Sequence, residues 1–333
     1  MEEFIVHIPE ETLYQVGTGL LKDLPELLRR IAPGARACAL ISDQRVYALF
    51  GSELEHALSR AGLRQGTFFI TGKSDAQKEL EKRSVGHFFD SLALTGKDLC
   101  LCVGGGAVCA TGGAAAAEFR GGIPCVCVPT GLLPMLELHH RPLYTEDYRA
   151  PSATLCDMQL LRSLTAAQRV SGFAQLIRDA LVLGEAPLAL LREAPLPVER
   201  AVALCLQLKN RRLADGAGAL ELAVGEQIAR TAEEIDQFRL PRGFYLAAGL
   251  IAELSAAVRN GLCEEQDAAL AAELLGMYGL GTHMPVPLEE VCEALGKRGE
   301  LRLPVLLQAG RTTLRTLAAD QVAPYFLSKE RIL

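Results

Sequence analysis

The hydrophobic and polar positions change rhythm part-way along the chain. Up to about residue 155, short apolar runs alternate with stretches of helical periodicity. Phe4–His7 and Tyr14–Val16 read as short extended segments, Leu20–Ile31 as an amphipathic helix, and Arg36–Ser42 as a buried strand ending at Asp43. Glu53–Ala61 reads as helix, Thr67–Ile70 as strand, and Asp75–Leu94 as a long helix. Cys100–Val103 and Cys125–Val128 are nearly continuous apolar runs, the pattern of strands buried on both faces of a parallel sheet. After Asp157 the strand signals largely stop. Leu160–Leu164, Ala166–Leu183, Val198–Leu213, Ala217–Glu234, Gly243–Asn260, Glu264–Tyr278 and Leu288–Leu295 read as helices, and only Leu301–Leu307 as extended. The expected architecture is an α/β, Rossmann-like dinucleotide-binding domain over residues 1–157, followed by a mainly α-helical domain over 158–333.

The segment from Cys100 to Thr130 carries the most specific chemistry. A strand runs into Gly104-Gly105-Gly106 and then into an alanine-rich helix. Glycines let a ligand approach the backbone, and the helix N-terminus supplies partial positive charge, so the arrangement is one that cradles phosphate. Ligands in such sheets sit beyond the carboxyl ends of the strands, where Asp43, the glycines and Pro129-Thr130 fall. The same glycines would also permit tight helix packing with no ligand.

Composition narrows the classes. Half of the 333 residues are hydrophobic and the formal net charge is −6, which leaves no basic footprint for nucleic acid or an anionic membrane. No apolar stretch approaches a membrane span, and MEEFIVHIPEETLYQVG lacks the basic and apolar regions of a signal peptide. A small-molecule nucleotide is the expected partner and the cytoplasm the expected compartment. The ten cysteines include no C-x-x-C; Cys100/Cys102 and Cys125/Cys127 are C-x-C pairs within apolar strands and read as reduced small hydrophobes.

The order of motifs resembles the 3-dehydroquinate synthase family of sugar-phosphate cyclases, related in fold to the iron-type alcohol and glycerol dehydrogenases. The resemblance runs over nearly the whole chain. It rests on YQVGTGLL, ISD at Ile41–Asp43, KSDAQK at Lys73–Lys78, GGGAVCATGGAAAA, PTGLL at Pro129–Leu133, SGFAQLIRDALV at Ser171–Val182, LAVGEQIARTAEE at Leu222–Glu234 and PRGFYLAAGL at Pro241–Leu250. It implies NAD in the first domain and a metal ion, usually zinc, in the second. The implied reaction turns a seven-carbon keto sugar-acid phosphate into 3-dehydroquinate with phosphate release, using a transient hydride acceptor and metal polarisation.

Carried over residue by residue, the resemblance keeps much of the cofactor side. Asp43 matches a carboxylate near the adenosine half, Asp75 and Lys78 an acid-x-x-Lys pair, Gly104, Gly105 and Gly106 the pyrophosphate loop, and Thr130 one of two threonines. The second threonine is Gly131, and the aspartate near the nicotinamide is Ala110. The metal side is replaced. The family's Glu ligand matches Gln175, its two His ligands match Glu226 and Arg242, and a nearby Lys matches Arg178. Glutamine is a weak neutral ligand and arginine keeps its charge, so zinc is not expected at these positions. The segment MLELHHRPLYTEDYRAP is shorter than its family counterpart, has Glu137 in place of an aspartate, and lacks both lysines that engage cofactor and substrate.

Several readings stay open. Arg178, Glu226 and Arg242 could fill the metal cavity with an ion-pair network, or a relocated metal could use His139-His140 with Cys109 or Glu226. The expected function is that of a 3-dehydroquinate synthase-like protein with a degenerate metal and substrate site, its activity lost or altered and NAD binding retained. An active divergent 3-dehydroquinate synthase of the shikimate pathway is the alternative, and a metal-independent NAD oxidoreductase a weaker one. No catalytic residue is assigned, and a homodimer remains open because the family commonly forms dimers.

Overall fold

The structure is a computed structural model that describes residues 1–6, 11–71, 75–137 and 150–328. Lys73 and the pair His139-His140 lie outside the described residues. The chain divides into two compact units, Met1–Thr165 and Ala166–Leu333.

The first unit is an α/β sandwich. Its strands are β1 (Glu2–Val6), β2 (Thr12–Gly17), β3 (Ala37–Ser42), β4 (Arg64–Phe69), β5 (Leu99–Gly104), β6 (Cys125–Pro129) and β7 (Ala153–Asp157). Its helices are α1 (Leu24–Ile31), α2 (Gln44–Arg60), α3 (Asp75–Ser91), α4 (Gly106–Glu118) and α5 (Leu132–Glu137). The seven strands lie in the order β1-β2-β7-β6-β5-β3-β4. All neighbours are parallel except β1 and β2.

Strands β3, β5 and β6 are buried at every position, as their unbroken apolar runs predict. Alternation sends Cys38, Leu40, Leu101, Val126 and Val128 into the core on one face, and Ala39, Ile41, Cys100, Cys102, Cys125 and Cys127 into the core on the other. From β3 the chain moves outward to β4 and then returns to β5 on the opposite side. The β3/β5 junction is therefore the topological switch point of the sheet, and the ends carrying Asp43 and the three glycines meet there.

Strand β7 is absent from the sequence reading, because its five residues are too few to stand out by periodicity. It forms because it slots between β2 and β6, with backbone partners on both sides. The following 3-10 turn, Met158–Ser163, stays with the first unit, since Leu160 is buried in its core. The division between units thus falls after Thr165 rather than at Asp157.

The second unit is mainly helical: α6 (Ala166–Leu183), α7 (Glu185–Leu191), α8 (Val198–Ala214), α9 (Glu226–Ile235), α10 (Arg242–Arg259), α11 (Glu265–Met277), α12 (Leu288–Gly296) and α13 (Ala319–Leu327). A two-stranded antiparallel hairpin, β8 (Leu301–Gln308) and β9 (Arg311–Leu317), completes it. The single helix expected over Ala217–Glu234 is instead a 3-10 turn at Ala219–Leu222 and then α9. The break lies at Gly225, which has φ +81°, and a Cβ there would stand 2.6 Å from the Leu250 nitrogen. Glycine lets α9 begin against α10, which places Glu226 in the first turn of α9. No helix among the described residues is long and apolar enough to cross a membrane.

Gly243 sets the crossing of α10 and α6. Its N–H donates to Ser171 Oγ at 2.8 Å, and a Cβ would collide with the Ser171 carbonyl. Gly243→Ala should therefore cost about 3 kcal/mol or more of unfolding free energy, because backbone rather than a flexible side chain has to move. Urea denaturation of the variant checks this value.

Candidate functional site

Two groups of residues carry the chemistry, one in each unit. In the first unit the group is built on the ends of β3, β5 and β6. Gly104 closes β5, and its carbonyl accepts a hydrogen bond from the Thr130 N–H at 2.9 Å, tying β5 to the end of β6. The Ser42 hydroxyl donates to the Val103 carbonyl at 2.7 Å and fastens β3 to β5 in the same way. Gly105 is the N-cap of α4.

Adjacent glycines have different reasons to lack a side chain. A Cβ on Gly104 would meet Val108 at 2.6 Å, so the turn of α4 itself demands glycine there. A Cβ on Gly105 would meet nothing within 4 Å. Packing gives no reason for glycine at that position, whereas close backbone approach by a ligand would. An open backbone at the N-terminus of α4 is compatible with an anionic group.

The other cofactor-side candidates fall on the elements that follow the strands of this sheet. Asp43 is the N-cap of α2, and one carboxylate oxygen accepts from the Val46 N–H at 2.9 Å. Thr130 is buried at the β6 end. Asp75 and Lys78 lie one turn apart at the start of α3. Ala110 is buried on α4, and Gly131 leads into α5, where Glu137 is the last residue.

In the second unit the positions matched to metal ligands form a charged cluster. Glu226 is 3% exposed, and its two oxygens are both engaged by guanidinium groups. Arg178 Nη1 donates to Oε2 at 2.9 Å, and Arg242 Nη2 donates to Oε1. Arg242 Nη1 also reaches Glu233 Oε2 at 2.6 Å. On the other side of Arg178, Asp179 accepts from Gln175 Nε2 at 3.0 Å and pairs with Lys209, which is itself buried. Burial pulls Lys209 below the ordinary lysine range, while Asp179 opposes that shift.

Three cations, Arg178, Lys209 and Arg242, thus face three anions, Asp179, Glu226 and Glu233. Among these six the charges balance, and burial holds the neighbouring Glu253 toward its neutral form. A dication at this point would meet two guanidiniums that cannot shed their charge. Gln175 adds no negative charge to offset them: its amide nitrogen donates to Asp179, and its Oε1 is a neutral, weak ligand. The residues present do not fit a divalent ion. The ion-pair reading of Arg178, Glu226 and Arg242 matches the geometry.

Asp179, Lys209 and Glu253 escaped sequence reasoning. The available signal was an acid inside an apolar helical run, as in RDALV and IAELSAA; nothing marks Lys209 out from the other basic residues of α8.

Glu253 of α10 accepts from the Gly225 N–H at 2.6 Å through Oε2, at the start of α9. Burial, with a smaller contribution from the neighbouring Glu226 charge, pushes its pKa up to about 8, against the pull of the Gly225 N–H and Arg178. Its folded pKa lies above the unfolded value, so its stabilising contribution is complete below about pH 4.5 and disappears as pH rises through about 8. The wild-type melting temperature should fall between pH 5 and pH 8 relative to Glu253→Gln, which keeps an acceptor for Gly225. The difference should be of order a few kcal/mol, and parallel pH–melting curves for the two proteins would contradict the assignment.

No family model matches the chain. Among curated proteins it is 28% identical to the 3-dehydroquinate synthase of Corynebacterium jeikeium, over 92% of this chain and 91% of that protein. It is 25% identical to the 3-dehydroquinate synthase of Latilactobacillus sakei, over 95% of each. Among solved structures it is similar to a 2-deoxy-scyllo-inosose synthase (TM-score 0.81, 18% identity, 97% and 98% of the two chains). It is also similar to the 2-epi-5-epi-valiolone synthase of Streptomyces hygroscopicus, solved with NAD+ and Zn2+ bound (TM-score 0.78, 19% identity, 94% and 95%). By sequence the chain is a divergent homologue of curated 3-dehydroquinate synthases, and it shares the fold of these cyclase structures.

Proposed function

We propose that the chain is a 3-dehydroquinate synthase-like protein that keeps a dinucleotide cradle in its first unit and has lost or altered the metal-dependent chemistry of its relatives. The observation that carries the proposal is the double engagement of Glu226 by Arg178 and Arg242. In the related synthases the reacting alcohol and carbonyl call for a Lewis acid. Here the matching position holds guanidiniums turned inward onto carboxylates, and no zinc is assigned to it.

NAD is the proposed ligand of the first unit, where Gly104, Gly105 and Gly106 would face its pyrophosphate and Asp43, Asp75, Lys78 and Thr130 would flank it. A bound cofactor would supply a hydride acceptor. The residues of this chain would supply orientation through the β3, β5 and β6 ends and the positive end of α4. The named relatives favour the second reading, an active divergent 3-dehydroquinate synthase of the shikimate pathway.

Turnover of the seven-carbon keto sugar-acid phosphate, measured with NAD and with added Zn2+ or Co2+, separates the two readings. The proposed reading expects phosphate release well below a hundredth of a typical enzyme rate of about 1 per second, with or without the added metal. Release near that rate would establish the active alternative. Calorimetric titration of Gly105→Ala tests the cradle on its own. The variant should unfold like the wild type, since its Cβ enters open space, yet bind NAD at least about tenfold more weakly. Equal affinity, or no binding by the wild type, removes the cofactor from the proposal.

A further inference from the structure

Five of the ten cysteines, Cys100, Cys102, Cys109, Cys125 and Cys127, belong to the core between the sheet and its covering helices, and all five are free thiols. The strand register pairs Cys100 with Cys125 and Cys102 with Cys127, so two C-x-C pairs present four sulfurs on one face of adjacent parallel strands. Cys100 Sγ is 3.6 Å from Cys102 Sγ, and Cys102 Sγ is 3.9 Å from Cys125 Sγ. All three sulfurs lie within 4.8 Å of one another. Helix α4 seals the group: Cys100 Sγ lies 3.8 Å from the Gly112 carbonyl, and glycine at 112 leaves room for the Cys102 sulfur.

We propose that Cys100, Cys102 and Cys125 form a binding site for a single thiophilic d10 dication of the zinc class. With metal–sulfur bonds of about 2.3 Å, tetrahedral angles place sulfurs about 3.8 Å apart, close to the 3.6 Å and 3.9 Å separations on either side of Cys102. The sheet register holds the triangle, so binding demands little movement. Among the described residues the candidate ligand group consists of these three cysteines alone, set in an apolar core that includes Ile41, Val108 and Phe119. An all-sulfur donor set favours a soft ion over Mg2+ or Ca2+.

A cavity of about 240 Å³, lined in part by Cys109, Gly113, Cys125, Cys127 and Ser152, reaches the edge of the cluster and offers a route inward. Each ligating thiol gives its proton to solvent on binding, so three thiolates and one dication retain a single negative charge. The site is independent of the charged cluster around Glu226 and of the nucleotide reading.

Titration of the metal-free chain with Cd2+, in a phosphine reductant, tests the proposal. The expected result is a sulfur-to-metal charge-transfer band saturating at one equivalent and indifferent to excess Mg2+. The variant Cys100→Ala/Cys102→Ala/Cys125→Ala should lose the band, and Cys205→Ala/Cys292→Ala, altered in the second unit, should keep it. Should the triple variant fail to fold, X-ray absorption on the zinc-loaded wild type decides. Three or more sulfur neighbours at about 2.3 Å support the site, and their absence overturns it. Thiols that only fill space beneath α4 would give no band in the wild type, and a band surviving in a folded triple variant would likewise overturn the assignment.

Discussion

One carboxylate organises the second unit. Glu226 sits at the start of α9, buried, with a different arginine on each oxygen. Burying a carboxylate is costly unless its charge is met and its lone pairs are occupied. Arg178 from α6 and Arg242 from α10 meet both conditions, so three helices are held at one point. The crossing of α10 over α6 at Gly243 and Ser171, and the glycine break before α9, are the backbone conditions that let the three groups converge.

Such a cluster has a chemical consequence. A catalytic cation works because it is an open Lewis acid, able to take a substrate oxygen into its coordination sphere. A guanidinium is a closed one: it can hold a charge in place, but it offers no empty orbital and cannot lend or accept a proton near neutral pH. Arg178 and Arg242 thus balance the Glu226 charge without offering such a centre. The balance extends outward through Asp179, Lys209 and Glu233, which makes single substitutions in the cluster expensive, since removing one partner leaves another charge buried alone.

In the first unit the controlling constraint is close approach. The glycines of α4 and the turn before it do different jobs: Gly104 and Gly112 make room for protein atoms, and Gly105 leaves room that no protein atom uses. The same thin helix that exposes the turn also rests directly on the sulfurs of β5, so nucleotide cradle and thiol cluster lie at two places along a single helix.

The fold was largely legible from the order of residues. Short unbroken apolar runs such as Ala37–Ser42 and Leu99–Gly104, alternating with helical stretches, read as strands covered on both faces, and that is what they form. That Gln175 and Arg242 are poorer metal ligands than a glutamate and a histidine was legible too, because amide oxygen is neutral and guanidinium keeps its charge. Strand β7 was not, since its stability comes from partners on either side and not from its own five residues. The partners of Glu226 were suspected; Asp179, Lys209 and Glu253 were missed, since charge balance in a buried cluster is settled among helices far apart in sequence. The cysteines show the division most clearly. Their spacing along each strand reads only as packing, and it took the parallel register of β5 against β6 to bring three sulfurs within one ion's reach, because hydrogen bonding between strands is a long-range choice that no local pattern encodes.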